Sequence, residues 1–204
     1  MRRRRLSRSS RSKRAFDLAA AAVLAPAVLP VLAGCALAVR LDSPGPIVFA
    51  QERTGQHGRR FRMYKFRTMV ANAEELKASL QHLNVLEPPD FKIPDDPRIT
   101  RTGRFLRATS LDELPQFWNV VRGEMSFVGP RPTSFEASTY DLWQTRRLEA
   151  KPGLTGPWQI GGRHETTLDD RVRIDEGYIR SRSVWGDLKL IAATVPALLR
   201  KEGA

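Results

Sequence analysis

A chain of 204 residues with a formal charge of +12 has room for one domain with an appendage. It is too short for a second nucleotide-binding domain of Rossmann size. A single cysteine, Cys35, excludes an internal disulfide and a thiolate zinc cage. His57, His82 and His164 are scattered without metal-ligand spacing, and Leu168 stands where a His164-Glu165 zinc-protease motif would need its second histidine.

The first fourteen residues carry eight Lys or Arg and no acid, which leaves +4 for all the others. This Ser/Arg tail, residues 1–14, is expected to be disordered, with anionic lipid or nucleic acid as its natural partners. From Leu18 to Val39 no residue is charged. A helix over that stretch reaches about 33 Å, enough to cross a hydrocarbon core. Three readings are open. The helix can span, leaving the tail on the cytoplasmic side. It can be a lipoprotein signal, because Leu32-Ala33-Gly34-Cys35 has that cleavage shape, although Ala36-Leu37-Ala38-Val39 stays apolar where a polar tether belongs. It can also enter and turn back, because Pro26 and Pro30 each remove a backbone donor near its middle.

Asp42-Ser43-Pro44-Gly45-Pro46 reads as a turn, followed by a strand at 47–49. A glycine-containing loop at 53–58 and the alternating run 61–66 complete a β-hairpin. Leu76, Leu80 and Leu83 give 71–83 a helical spacing, and four prolines make 87–97 a loop. Helices are expected over 104–121, 135–148, 168–179 and 185–200, with 151–157 as loop. The fold class is therefore α+β, mainly helical, with a small β-hairpin.

The densest polar cluster runs from Arg104 through Arg107 to Asp112-Glu113, then Arg122 and Gly129-Pro130-Arg131-Pro132. Adjacent carboxylates among arginines suggest an anion site with an embedded nucleophile. Ser110-Leu111-Asp112-Glu113 also spells a helix capping box, with Ser110 as N-cap and Glu113 at N3. The two readings are compatible, since a helix N-terminus keeps Asp112 ionised and offers donors to a phosphate.

At this point the chain resembles the bacterial sugar transferase family, the small monotopic polyprenyl-phosphate phosphoglycosyl transferases. The resemblance is carried by Asp42-Ser-Pro-Gly-Pro-Ile-Val-Phe49, Tyr64-Lys-Phe-Arg-Thr-Met69 and Asp96-Pro-Arg-Ile-Thr-Arg-Thr-Gly-Arg-Phe-Leu-Arg107. It continues through Ser110-Leu-Asp-Glu-Leu-Pro-Gln116, Asn119-Val-Val-Arg-Gly-Glu-Met-Ser-Phe-Val-Gly-Pro-Arg-Pro132 and Lys151-Pro-Gly-Leu-Thr-Gly156. These collinear motifs cover residues 13 to 200.

The resemblance implies that Asp112 attacks the β-phosphate of a UDP-sugar, releases UMP and passes the phosphosugar to polyprenyl phosphate, initiating exopolysaccharide, capsule or glycoconjugate synthesis. Glu113 would be its dyad partner, and a Mg²⁺ ion near Asp112 would offset charge. Lys65, Arg67, Arg107 and Arg131 would contact phosphate. Asp175 either lies near that site or salt-bridges an arginine. Trp143, Trp158 and Trp185 read as packing rather than sugar platforms.

Because UDP-sugars are cytoplasmic, the implied topology is a broken re-entrant helix over 15–41 and a catalytic domain over 42–204, on the cytoplasmic face of the bacterial inner membrane. The kink falls at Pro26 and Pro30, with Ala25 where the family has serine. Anionic lipid is the expected partner of the tail, nucleic acid is not, and a homodimer is compatible with this arrangement.

Overall fold

The computed structural model describes residues 2–85, 93–161 and 167–199. Part of the proline-rich loop at 87–97, and the His164-Glu165 pair, lie outside them. Helix α1 spans Arg2–Asp42 with Pro26 and Pro30 inside it. The basic segment, expected to be disordered, thus continues the helix. Arg and Lys are good helix formers, and extending a formed helix gains one hydrogen bond per residue fixed. Among the described residues α1 is the one helix long and apolar enough to cross a membrane.

Both ends of α1 dock on the same body, and one face of its middle, at Ala25, Val28 and Leu32, packs against it as well. Near its start Asp17 is 1% exposed and accepts from Ser126 Oγ at 2.9 Å and the Phe127 amide at 3.3 Å. Lys13 lies 2.7 Å from the buried Asp187. Arg14 donates at 2.6 Å to the carbonyls of Val120 and Val121, at the end of a helix whose last carbonyls lack intrahelical partners. Near its finish Cys35 and Val39 are buried, and Asp42 accepts from the Thr102 amide at 2.9 Å. Between these anchors Val23, Leu24, Leu29 and Val31 are exposed.

The expected hairpin forms. Strands β1 (Val48–Thr54) and β2 (Arg60–Phe66) pair antiparallel, from Val48↔Phe66 to Thr54↔Arg60. Helices α2 (Arg101–Ala108) and α3 (Gln116–Arg122) replace the single helix expected over 104–121. They are separated by a 3-10 turn at Leu111–Glu113. Ser110 turns left-handed there, at φ +56°, and Pro115 deletes a further hydrogen bond, which together end one helix before the next begins.

Strands β3 (Ser126–Val128) and β4 (Gly153–Thr155) pair in parallel, so the expected loop at 151–157 contains a strand. Gly129 and Gly153 let the two backbones touch: a Cβ on Gly153 would lie 2.1 Å from the Gly129 nitrogen. Short helix α4 (Pro157–Gly161), α5 (Leu168–Ser181) and α6 (Val184–Leu199) close the fold, the last two as expected.

The helices expected at 71–83 and 135–148 are only short 3-10 turns. Leu76 and Leu83 stay exposed, so no apolar face is buried to stabilise a helix at 71–83. Ser134, Ser138, Thr139 and Asp141 compete for backbone bonds in the second segment.

Two apolar clusters hold the body. One joins Ala21 of α1 to Met63, Phe117, Val120, Met125, Phe127, Val128 and Tyr178, with Phe117 edge-on to Phe127. The other joins Cys35 and Val39 to Phe66 and Leu106. Strand β2 contributes to both, which fixes the hairpin beside α3.

Candidate functional site

Asn119 is wholly buried and ties β2 to α3. Its Oδ1 accepts from the Tyr64 amide at 3.1 Å, and its Nδ2 donates to the Arg62 carbonyl at 2.7 Å. That contact brings Lys65 against the 3-10 turn carrying the acidic pair. The turn is set by Ser110, which adopts φ +56° and makes no side-chain cap. The expected capping box is therefore absent. A left-handed N-cap points the serine hydroxyl away from the amides it would have to accept from, since that role needs extended backbone. The pair accordingly lies in a tight turn instead of a helix N-terminus.

The two carboxylates differ sharply in surroundings. Glu113 Oε1 is 2.8 Å from both Lys65 Nζ and Arg131 NH2, and its Oε2 accepts from Arg131 NH1 at 3.3 Å. Burial alone would raise its pKa, but the Arg131 and Lys65 charges outweigh this and hold it at about 2. Asp112 lies 3.9 Å from Lys65 and, among the described residues, accepts no hydrogen bond. Burial pushes its pKa up and Glu113 adds to this, while Lys65, Arg107 and Arg131 pull it down. One acid is clamped as a permanent anion, and its neighbour is left with open oxygens beside cations.

The cations divide likewise. Lys65 and Arg131 touch the pair. Arg107 donates from Nε to Thr68 Oγ1 at 2.9 Å and acts on Asp112 through its charge. Arg67 is placed otherwise than expected. Its guanidinium is buried and donates to the carbonyls of Pro44 and Ser43 at 2.5 and 2.7 Å, so it holds the turn after α1. Strand β2 ends at Phe66, so the alternation that would put residues 65 and 67 on one face stops between them.

Of the two placements open to Asp175, the structure shows the salt bridge to an arginine. Asp175 is 0% exposed and 2.9 Å from Arg147 NH2, with burial raising its pKa to about 6 against the pull of that arginine. Two arginines were not anticipated. Arg53 on β1 faces Glu113 and Arg131, and burial together with the Arg131 charge works against its protonation. Its pairing with Phe61 puts it on the hairpin face of Lys65, a signal present in the alternation. Arg147 had no such signal within its segment.

Trp158 is buried with the Arg171 guanidinium 4.9 Å from its ring, Trp143 is half-buried, and Trp185 is 67% exposed.

Asp112 offers one carboxylate with free oxygens, and Glu113 has both of its oxygens committed. Such a donor set suits Mg²⁺, which takes one or two carboxylates plus substrate phosphates and water, rather than an all-protein cage.

The profile of the bacterial sugar transferase family matches residues 8–201. The chain is 49% identical over 81% of its length to the galactosyl transferase CpsE of Streptococcus agalactiae. It is 41% identical over 97% of its length to the undecaprenyl-phosphate galactose phosphotransferase of Salmonella typhimurium. It spans 37% and 42% of these two proteins. It is also 36% identical over 95% of its length to the exopolysaccharide production protein ExoY of Rhizobium meliloti, of which it covers 88%.

Proposed function

Because the chain belongs to the bacterial sugar transferase family, we propose that it transfers a sugar-1-phosphate from a UDP-sugar to polyprenyl phosphate. The relatives' names supply the substrate class: a UDP-galactose–lipid carrier transferase of Erwinia amylovora and a UDP-glucose:undecaprenyl-phosphate glucose-1-phosphate transferase of Caulobacter vibrioides. The observation that carries the reading is the unequal acidic pair, with Asp112 open beside Lys65 and Glu113 locked by Arg131.

In this reading an Asp112 oxygen attacks the β-phosphorus. The bond to the bridging oxygen breaks, UMP leaves with that electron pair, and an acyl phosphate remains on Asp112. An oxygen of polyprenyl phosphate then attacks the same phosphorus, and the carboxylate departs. Lys65, Arg131 and Arg53 supply fixed positive charge to the equatorial oxygens, where a dry site makes it most effective. Glu113 keeps Lys65 and Arg131 in place. Mg²⁺ held by Asp112 and the substrate phosphates would neutralise charge that opposes the attack.

We read α1 as re-entrant, with the body on the cytoplasmic face of the inner membrane. A spanning helix would separate Asp17 and Asp42 by a bilayer, yet both bond to the same folded body. Cys35 is buried in an apolar cluster, and cleavage before it would remove Asp17 and Ala21 from the core, which disfavours the lipoprotein reading. Lys13 and Arg14, two of the tail's eight cations, are engaged within the protein.

The test is UMP release by the full chain with undecaprenyl phosphate and a panel of UDP-sugars. The wild type should turn over at least one donor, and Asp112→Asn should lose at least about a thousandfold. Near-normal turnover by that variant would remove Asp112 from the chemistry.

A further inference from the structure

Behind the acidic pair stands a second buried charge pair that touches neither carboxylate. Asp175 on α5 is 0% exposed, and Arg147, in the 3-10 turn Gln144–Glu149, is 3% exposed. The Arg147 NH2 group lies 2.9 Å from Asp175 Oδ2 and also donates to the main-chain carbonyl of Arg131 at 3.0 Å. The Arg131 side chain, in turn, grips Glu113 with both of its terminal nitrogens.

Stability is a poor reason for such a pair. Burying two charges costs several kcal/mol each, and an apolar pair of equal volume often does as well or better. This pair is also incompletely satisfied, since Arg147 NH1 and both carboxylate oxygens of Asp175 lack a well-aligned hydrogen-bond partner among the described residues, leaving the 2.9 Å contact between the two groups as a charge contact. What it does hold is the backbone of a site arginine. Prolines flank Arg131 and provide no amide donors; the carbonyls of Pro130 and Thr133 on either side accept from the Gly153 and Thr54 amides, and the Arg131 carbonyl between them is held by Arg147.

We propose that Asp175 and Arg147 are positioning residues for the transfer reaction, fixing the main chain at Arg131 and hence the aim of its guanidinium at the phosphate received by Asp112. The inference rests on the reading of that acidic pair as the transfer site. Its physical content is that a misplacement of about 1 Å in a preorganised group can cost about a hundredfold in rate.

A double-mutant cycle on the full chain tests it, with UMP release from UDP-galactose and UDP-glucose as the readout. Asp175→Asn in the wild-type background should lower kcat by at least about tenfold. In an Arg131→Lys background, where the two-pronged grip is already lost, the same change should cost less than about twofold. Arg147→Lys keeps the charge but cannot hold Asp175 and the carbonyl together, and it should follow the same pattern. It carries the cycle if Asp175→Asn shows no cooperative melting. Equal losses in both backgrounds would mark a merely structural pair and overturn the proposal. A wild type that released no UMP from any UDP-sugar would overturn the reading of the site and this inference with it. An active wild type with additive losses overturns the positioning role alone.

Discussion

Ser110 is the residue whose backbone decides where the acidic pair stands. Its φ of +56° is a conformation that glycine adopts freely and a β-branched residue resists. Ser110→Gly should keep UMP release within about twofold, whereas Ser110→Val should destabilise by about 1–2 kcal/mol and lower turnover more steeply than melting temperature. Glu113 and Asp175 make opposite contributions to the pH dependence of stability. The pKa of Glu113 falls on folding from 4.5 to about 2, so its contribution is complete above pH about 4.5 and disappears as pH drops through about 2. That is about 3 kcal/mol, and urea melts of Glu113→Gln between pH 2 and 5 should lack it. The pKa of Asp175 rises to about 6, so its contribution is present below pH about 4 and is lost as pH climbs through about 6. Asp175→Asn should therefore be flatter than wild type between pH 4 and 7.

Among the elements, α2 and α3 are held by unusually close contacts. A Cβ on Gly103 of α2 would fall 2.0 Å from the Thr68 carbonyl oxygen, so Gly103→Ala must push α2 off the loop after β2 and should cost about 2–4 kcal/mol in denaturant melts. Arg14 closes the end of α3, and Arg14→Ala leaves two carbonyls without that donor, at about 1–2 kcal/mol. The hairpin was legible because its alternation and turn are local. Helices α5 and α6 were legible because each has an apolar stripe, and α5 also has a true capping box at Thr167 and Asp170. The leucines of 71–83 carry the same period but meet no partner surface, so spacing without burial misled. Strands β3 and β4 are too short to show any period, and their trace in the chain is Gly129, Gly153 and Gly156, spaced for close backbone approach. Asp112, Glu113, Lys65 and Arg131 were legible as motif residues. The partner of Arg67 was not, because Ser43 lies 24 positions away, and of Asp175 only the arginine salt bridge was foreseen and not which arginine, since Arg147 lies 28 positions away.

For the molecule as a whole, a folded body that clasps both ends of one apolar helix constrains topology. Single cysteines at exposed Ser12 and Ser181, placed in a Cys35→Ser chain, should both react with an impermeant maleimide in inverted vesicles and neither in intact cells. Labelling from opposite sides would defeat the re-entrant reading. The native cysteine offers a complementary measurement. Cys35 is 8% exposed where the C-terminal part of α1 meets β2 and α2, and the chain has no other thiol. Its alkylation rate therefore clocks how often the hydrophobic arm lets go of its seat, with no engineered label. Slow modification in lipid nanodiscs and rapid modification in harsh detergent would time the loosening of that joint directly.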